Sequence, residues 1–242
     1  MASPSQTERE TTGPNLDGPM TGNQAARRTL DVAAATAALA AADPVMAAFM
    51  ERAGPFEPRA GQGDYFAALA RSILFQQLAG RAATAIHGRF VEAIGGRVTP
   101  EAVLAVPPEV LRSAGLSGAK AAAVIDLATK AADGTVPLAA LDGLDDEEII
   151  ARLSAVRGIG RWTAEMFLMF ELQRPDVWPV DDYGVRTGWT RIYELPELIK
   201  PRDLREASAR FRPYRSLVAW YCWEAVRLSR GEMTLPAPPA GD

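Results

Sequence analysis

The sequence is poor in the residues that carry most metal and redox chemistry. It has one cysteine, Cys222, and one histidine, His87. A single cysteine excludes an internal disulfide, a CxxC redox pair and any cluster held by four thiolates. A single histidine excludes a histidine-rich metal centre, so no metal ligand is expected. His87 lies in RAATAIHGRFVEAIGG, to one side of the stripe Ile86, Phe90 and Ile94, and reads as a partly exposed helix residue. No run of about 18 strongly apolar residues occurs, because charges interrupt the alanine-rich stretches, which argues against a membrane span. The opening MASPSQTERETTGPNLDG has no apolar core flanked by basic residues, so the reading is a soluble, cytoplasmic protein without a secretory signal. Chemistry must then come from carboxylates, aromatics, hydroxyls and backbone groups.

Positive charge is also scarce. The net charge of −4 argues against a protein held to nucleic acid by charge alone. The distribution is uneven: Asp133 to Ile150 carries six acidic residues and no basic one, whereas Arg186 to Arg230 carries ten Lys and Arg against five Asp and Glu. One basic face on an acidic molecule would steer it toward phosphates. Scattered charge on solvated helix faces is an equal alternative.

Helix signals are what the chain has in abundance. Its 242 residues, 48% of them hydrophobic, suffice for one large globular domain or two small ones. Residues 1–28, rich in Pro, Gly, Ser, Thr and Asn, read as a disordered tail, 29–230 as a helical domain, and 231–242 as a flexible tail. Ala25 to Arg52 reads as a helical lead-in. Asp64 can cap a helix with the stripe Phe66, Leu69, Ile73 and Leu74, and Gly95-Gly96 ends the helix that follows. Thr99-Pro100-Glu101 starts another, Ser117 opens one closed by Asp133-Gly134, and Asp145 caps a helix reaching Val156. Further helices are expected near 161–172, 182–193, 202–211 and 214–230. The fold class is all-α, with roughly eight to ten helices and short loops.

VRGIGRWTAEMF, residues 156–167, places a tight Gly158-Ile159-Gly160 turn between two of these helices, a helix-hairpin-helix over about 146–172. Glycine there permits φ > 0 and close backbone approach. The unpaired N–H groups opening the second helix form a site for a phosphate oxygen, which needs few lysines. A G-x-G between helices is more often a simple C-cap, so its surroundings carry the weight. Twenty residues after Trp162, PVDDY supplies adjacent carboxylates, Asp181 and Asp182.

LSAVRGIGRWTAEMF followed by DVWPVDDYGVR resembles the helix-hairpin-helix (HhH-GPD) DNA glycosylases, in which the hairpin is followed at this distance by an essential aspartate. ILFQQLAGRAA, GLSGAKAAAVIDLA and RFRPYRSLVAWYCW are similar to the 3-methyladenine DNA glycosylase II (AlkA-like) branch. The resemblance covers about residues 60–230 and lacks both the N-terminal sheet domain of some members and the cysteine cluster of others. It implies two helical subdomains flanking a cleft. It also implies a monofunctional enzyme that flips and hydrolytically excises alkylated bases of the 3-methyladenine type from duplex DNA, starting base excision repair. Such an enzyme acts as a monomer, has no membrane partner and requires no cofactor, a structural monovalent cation at the hairpin being the one candidate ion.

The resemblance assigns the catalytic role to Asp182, with Asp181 as the alternative; one of the pair is expected to cap the next helix while the other faces the cleft. Trp162, Trp223, Met166 and Tyr183 would line the base pocket, with Trp220 and Tyr221 nearby. Arg157, Gly158, Ile159, Gly160 and Thr163 would hold DNA phosphate. Gln77 or Leu78 would be the wedge that fills the space left by the flipped base. Lyase-competent relatives carry a lysine where this chain has Trp162. The neighbouring Arg157 and Arg161 are guanidiniums, and no motif places Lys130 or Lys200 at the cleft, so no Schiff base is expected. The alternatives are a glycosylase for oxidised or deaminated bases and a non-catalytic DNA-binding protein.

Overall fold

The computed structural model describes residues 30–58, 61 and 63–231. The tail expected over 1–28 lies outside the described residues, as does the tail expected over 231–242 apart from Gly231. Among the described residues there are twelve α-helices, two 3₁₀ segments and no strand.

Two helices, α1 (Val32–Ala42) and α2 (Pro44–Ala53), replace the single lead-in. Asp43 divides them: its N–H closes α1 on the Leu39 carbonyl, and its Oδ1 accepts from the Met46 N–H at 2.8 Å to open α2. Pro44 has no N–H to offer and disfavours the helical conformation in the residue before it, so the helix breaks there. In α3 (Tyr65–Phe75), Asp64 accepts from the Ala67 N–H at 3.0 Å, and Phe66, Leu69, Ile73 and Leu74 are buried as their spacing predicts. Then come α4 (Gly80–Ala93), α5 (Pro100–Leu104), α6 (Pro108–Ser113) and α7 (Gly118–Ala132), with Thr99 and Ser117 capping α5 and α7. A 3₁₀ turn (Leu138–Gly143) leads to α8 (Asp146–Ser154) and α9 (Arg161–Phe170). Asp145 occupies the cap position of α8 without a side-chain bond. The chain ends with α10 (Tyr183–Ile192), α11 (Pro201–Ala207), a second 3₁₀ turn (Ser208–Phe211) and α12 (Arg215–Ser229). The helices outnumber the expected set because the break at Asp43 and the short proline-led turn of α6 fall below the window over which periodicity can be read.

Two hydrophobic cores organise these helices. One gathers side chains of α3 to α9, among them Leu69, Phe90, Leu127, Ile149 and Leu168. The other joins Leu39 and Met46 of the first two helices to Trp189, Phe211, Leu217 and Tyr221 near the C-terminal end. The first subdomain is thus continuous in sequence and the second is closed by both ends of the described chain. Met169 packs against both cores. The extended loop after α9 is fixed by α12: Ser216 Oγ accepts from the Val177 N–H at 2.9 Å and donates to the Arg174 carbonyl at 2.6 Å, and Arg215 grips Asp176 through two bonds of 2.7 Å.

The basic stretch from Arg186 to Arg230 is largely used internally. Arg186 bonds the Ile199 carbonyl, Arg191 Ser229, Arg202 Glu206, Arg210 Asp43, Arg212 and Arg215 Asp176, and Arg227 Glu224. Most of these bonds join separate segments, while Arg202–Glu206 and Arg227–Glu224 each lie within one helix, so much of this charge is spent on internal partners rather than gathered on a dedicated basic face. No helix among the described residues is long and apolar enough to cross a membrane.

Helices α10 and α12 pack tightest where Gly188 meets Cys222: a Cβ on Gly188 would fall 2.6 Å from the Cys222 Cα and overlap its carbonyl. Backbone cannot yield there as a flexible side chain could. Gly188→Ala is therefore expected to destabilise the fold by about 3 kcal/mol or more. Gly88→Ala, on an exposed stretch of α4 with nothing near the added Cβ, should instead stabilise it by about 0.5–1 kcal/mol. Urea unfolding of the two variants measures both signs. Burial pushes the Cys222 thiol above its usual range, so a disulfide reagent should modify it only after unfolding.

Candidate active site

The hairpin between α8 and α9 is held from below by apolar side chains and from the sides by polar ones. Val156 and Ile159 are buried in the first core, and the Ile159 N–H returns to the Val156 carbonyl at 3.1 Å. Gly158 has φ +80°, and a Cβ there would press Ala123 of α7 at 3.3 Å. Gly160 differs: its φ is −96°, and a Cβ would meet nothing within 4 Å. The left-handed requirement therefore applies to Gly158 alone, and the bare face of Gly160 opens outward.

Two of the expected phosphate-binding amides are already engaged. The Arg157 N–H donates to Asp126 Oδ2 of α7 at 2.7 Å, and the Ile159 N–H is spent within the turn. Among the described residues, the N–H groups of Gly158, Gly160, Arg161, Trp162 and Thr163 have no internal acceptor, and Gly160 caps α9 without a side-chain bond. Thr163 contributes only its N–H, since its side chain is buried. Burial raises the Asp126 carboxyl, but the Arg157 N–H and the Lys130 ammonium outweigh it and hold the group below the usual range. Arg161 is committed as well: its Nη atoms reach Glu147 at 2.9 and 2.5 Å, and its Nε reaches Glu165 at 3.0 Å. Burial raises the Glu165 carboxyl despite that partner. Arg161 thus clamps α8 to α9.

Asp182 stands at the N-terminus of α10, at the boundary of the two cores. Its Oδ1 accepts from the Val185 N–H at 2.7 Å, capping the helix, and from Trp223 Nε1 of α12 at 3.0 Å. Its Oδ2 accepts from Trp162 Nε1 of α9 at 2.7 Å. The expected division of labour between the two aspartates is therefore not found: Asp182 caps and faces the aromatics at once, while Asp181 is exposed. One carboxylate is joined to two indoles from opposite subdomains.

The apolar lining follows from α9. Trp162, Met166 and Phe170 lie four residues apart and share one face of the helix, with Trp162 51% and Phe170 49% exposed. Phe170 stacks on Trp223, the ring centroids 5.8 Å apart with planes at 28°. Tyr183 is exposed beside Asp182. Trp220 and Tyr221 turn away: Trp220 packs edge-on against Phe56 at 5.0 Å, and Tyr221 is buried with its hydroxyl donating to the Gly54 carbonyl at 3.3 Å. They belong to the second core rather than the pocket. His87 also packs edge-on against Phe75, and burial lowers its pKa. In the loop after α3, Gln77 has φ +57° and Leu78 is exposed, consistent with a projecting element.

A hairpin with free amides, an aspartate twenty residues beyond it and facing aromatics is a combination that the sequence pattern of HhH-GPD superfamily base excision DNA repair proteins also captures, matching residues 70–213. The chain belongs to the HhH-GPD superfamily. It is 34% identical over 193 residues to DNA-3-methyladenine glycosylase 1 of Schizosaccharomyces pombe, covering 78% of this chain and 79% of that protein. The solved structure of the Schizosaccharomyces pombe 3-methyladenine DNA glycosylase in complex with abasic DNA matches with a TM-score of 0.69 at 31% identity, over 84% of this chain and all of that one (100%). DNA-3-methyladenine glycosidase from Bacillus halodurans matches with a TM-score of 0.77 at 33% identity, over 82% and 91% of the two chains.

Within this HhH-GPD site, sequence reasoning missed Phe170, Asp126, Gly184 and the tie of Gln76, in the loop expected to carry the wedge, to the Gly158 carbonyl. Phe170 had a signal, its place in the four-residue stripe. The others act through tertiary contacts that have none. A Cβ on Gly184 would lie 2.8 Å from Trp223 Cδ1 and 3.0 Å from Asp182 Oδ1. Gly184→Ala is expected to displace the Trp223 indole and weaken its bond to Asp182. The indole N–H resonance of Trp223 should move in a ¹⁵N–¹H spectrum while that of Trp189 stays; an unmoved Trp223 signal would contradict the geometry.

Proposed function

We propose that this protein is a monofunctional DNA glycosylase that flips alkylated bases of the 3-methyladenine type out of duplex DNA and releases them by hydrolysis, starting base excision repair. The observation that carries the reading is Asp182, held between Trp162 Nε1 and Trp223 Nε1 at the junction of the two cores. Its relatives named as 3-methyladenine DNA glycosylases, one solved with abasic DNA, support the same substrate.

As the N-glycosidic bond breaks, positive charge develops on the sugar. A carboxylate fixed beneath it stabilises that charge and orients the attacking water. The hydrogen bonds to Asp182 hold it as an acceptor in one orientation, so little reorganisation accompanies the reaction. Alkylated purines are electron-poor, often cationic and already good leaving groups. Stacking on Trp162, Trp223 and Phe170 would favour them by about 0.5–2 kcal/mol per ring, with Met166 and Tyr183 completing the lining. The free amides of Gly158, Gly160 and the first turn of α9 would bind a backbone phosphate, with the open side of Gly160 allowing it to approach. Gln77 or Leu78 would fill the vacated stack. Asp181 has no bond to either indole and is the weaker candidate.

No step of this reaction needs a cofactor. A monovalent cation at the hairpin would rest on main-chain carbonyls; those of Val156 and Gly158 each accept one hydrogen bond and retain a second lone pair. Its role would be structural. Monomeric action in the cytoplasm is the accompanying proposal.

Strand cleavage would require an amine at C1′ of the sugar. Trp162 fills the position at which lyase-competent relatives carry lysine, Lys120 is bonded to two main-chain carbonyls, and Lys130 to Asp126. After base release the strand should remain intact until treated with alkali, and borohydride should trap no protein–DNA adduct. A substantial adduct would overturn the monofunctional assignment.

Asn caps helices as well as Asp does, and the amide oxygen of Asp182→Asn can still accept from the Val185 and Trp223 N–H groups, but its NH2 cannot accept from Trp162 Nε1, so the variant removes the charge together with one of the three bonds. The variant should stay folded, with its α10 cap retained, and keep its affinity for undamaged duplex while losing at least about 10² in single-turnover base release. The assay uses duplex DNA carrying 3-methyladenine, 7-methylguanine, hypoxanthine or ethenoadenine. Full activity in the variant would remove Asp182 from the mechanism, and release of only the last two bases would move the substrate class. Gly160→Val should weaken binding equally for damaged and undamaged duplex, because phosphate contacts position without specifying; a loss confined to lesion DNA would contradict the amide site.

A further inference from the structure

Helix α7 and the loop after α3 hold a set of contacts that base release does not itself require. Lys120, in the first turn of α7, donates from Nζ to the Leu74 carbonyl at 2.5 Å and to the Gln76 carbonyl at 2.8 Å. The Leu74 carbonyl lies in the last turn of α3 and that of Gln76 just past its end, and an ammonium there is electrostatically matched to the helix C-terminus. The chain then turns sharply: Gln76 is extended (φ −55°, ψ 132°), Gln77 adopts a left-handed φ of +57°, and Leu78 is 39% exposed. A left-handed glutamine costs about 1 kcal/mol or more unless its surroundings impose it. A glycine would turn the chain at no such cost.

The same loop is tied to the hairpin. Gln76 Nε2 donates to the Gly158 carbonyl at 2.9 Å. On α7, Ala123 lies against the position of the missing Gly158 Cβ, and Asp126 accepts from the Arg157 N–H. Lys120, Ala123 and Asp126 recur every three residues on one side of α7. A single helix thus holds the projecting loop from its first turn and the hairpin from its middle, with Gln76 closing the triangle between them.

We propose that α7 is a strut that sets the wedge loop at a fixed distance from the phosphate-binding hairpin, with Lys120 and Gln76 as positioning residues for base flipping. The inference rests on the reading of Gln77 and Leu78 as the wedge. Gripping a phosphate at the hairpin defines where the backbone runs. The strut converts that grip into a defined insertion point for the wedge, so the void left by the flipped base and the element that fills it coincide. Neither residue touches the reacting atoms. Their effect should appear in insertion and not in phosphate binding.

The test uses the full chain and a duplex containing a tetrahydrofuran abasic analogue with 2-aminopurine as its neighbour, so lesion chemistry plays no part. Binding is followed by anisotropy and wedge insertion by the change in 2-aminopurine emission. The wild-type protein should change the emission, and Gln77→Ala/Leu78→Ala should abolish that change. Lys120→Met should bind undamaged duplex as the wild type does yet lose most of the emission change, and Lys120→Arg, which restores donors, should recover it. Gln76→Leu, which cuts only the tie to Gly158, should lose the change as well, and it decides the question if Lys120→Met does not fold. A wild-type emission change in Lys120→Met or Gln76→Leu, with the wedge variant dark, overturns the strut and leaves the wedge standing. An unaltered change in the wedge variant overturns both. Equal loss of anisotropy binding and emission in Lys120→Met would make Lys120 a DNA contact and also overturn the proposal.

Discussion

The three hydrogen bonds accepted by Asp182 are the constraint on which the site depends. One bond, from the Val185 N–H, belongs to α10; one, from Trp223, to α12; one, from Trp162, to the helix that leaves the hairpin. The first two lie in the second subdomain and the third comes from the first. A single carboxylate thus registers two separately built cores against each other. The tight crossing at Gly188 and Cys222, the Arg215–Asp176 pair and the Ser216 bonds all bear on where α10 and α12 lie, and so on where that carboxylate points. Charged groups elsewhere are spent on the same end: Arg161 joins α8 to α9, and Asp126 anchors the turn between them.

This arrangement reconciles an acidic chain with a phosphate-bearing substrate. The hairpin offers backbone amides and a glycine face, neither of which adds to the net charge. Most arginines of the C-terminal third are internal ties. Binding through oriented amides is short-ranged and geometric, so it suits a protein that must register on DNA before testing a base. Affinity of this kind falls less steeply with salt than a surface built from lysines would require.

Local chemistry made much of the fold legible in the sequence. Asp64, Thr99 and Ser117 cap the helices that they were expected to cap, because a cap depends on a residue and the three that follow it. The stripe of α3 is buried because its partners are of one chemical kind and need not be named in advance. What depended on distant partners was not legible. Asp182 could not be seen to cap and to face the cleft together, since its indole donors come from helices twenty residues before and forty-one after it. Gly158 and Gly160 look alike in GIG, yet only one has a left-handed φ. Trp220 and Tyr221, expected near the pocket that Trp162 and Trp223 would line, are sent by helix rotation into the core instead. The break at Asp43-Pro44 was written in the sequence and outweighed by the alanines on either side.

The central claim is that negative charge held at this junction is matched to positive charge developing on the sugar. A transition-state mimic binds more tightly than a neutral counterpart of the same shape when an enzyme stabilises that charge. The direct measurement is the affinity of the wild-type protein for two duplexes that differ at one nucleotide: a cationic pyrrolidine in place of the sugar, and the neutral tetrahydrofuran analogue. The account predicts that the cationic duplex binds at least about 10²-fold more tightly. Equal affinities for the two would contradict it.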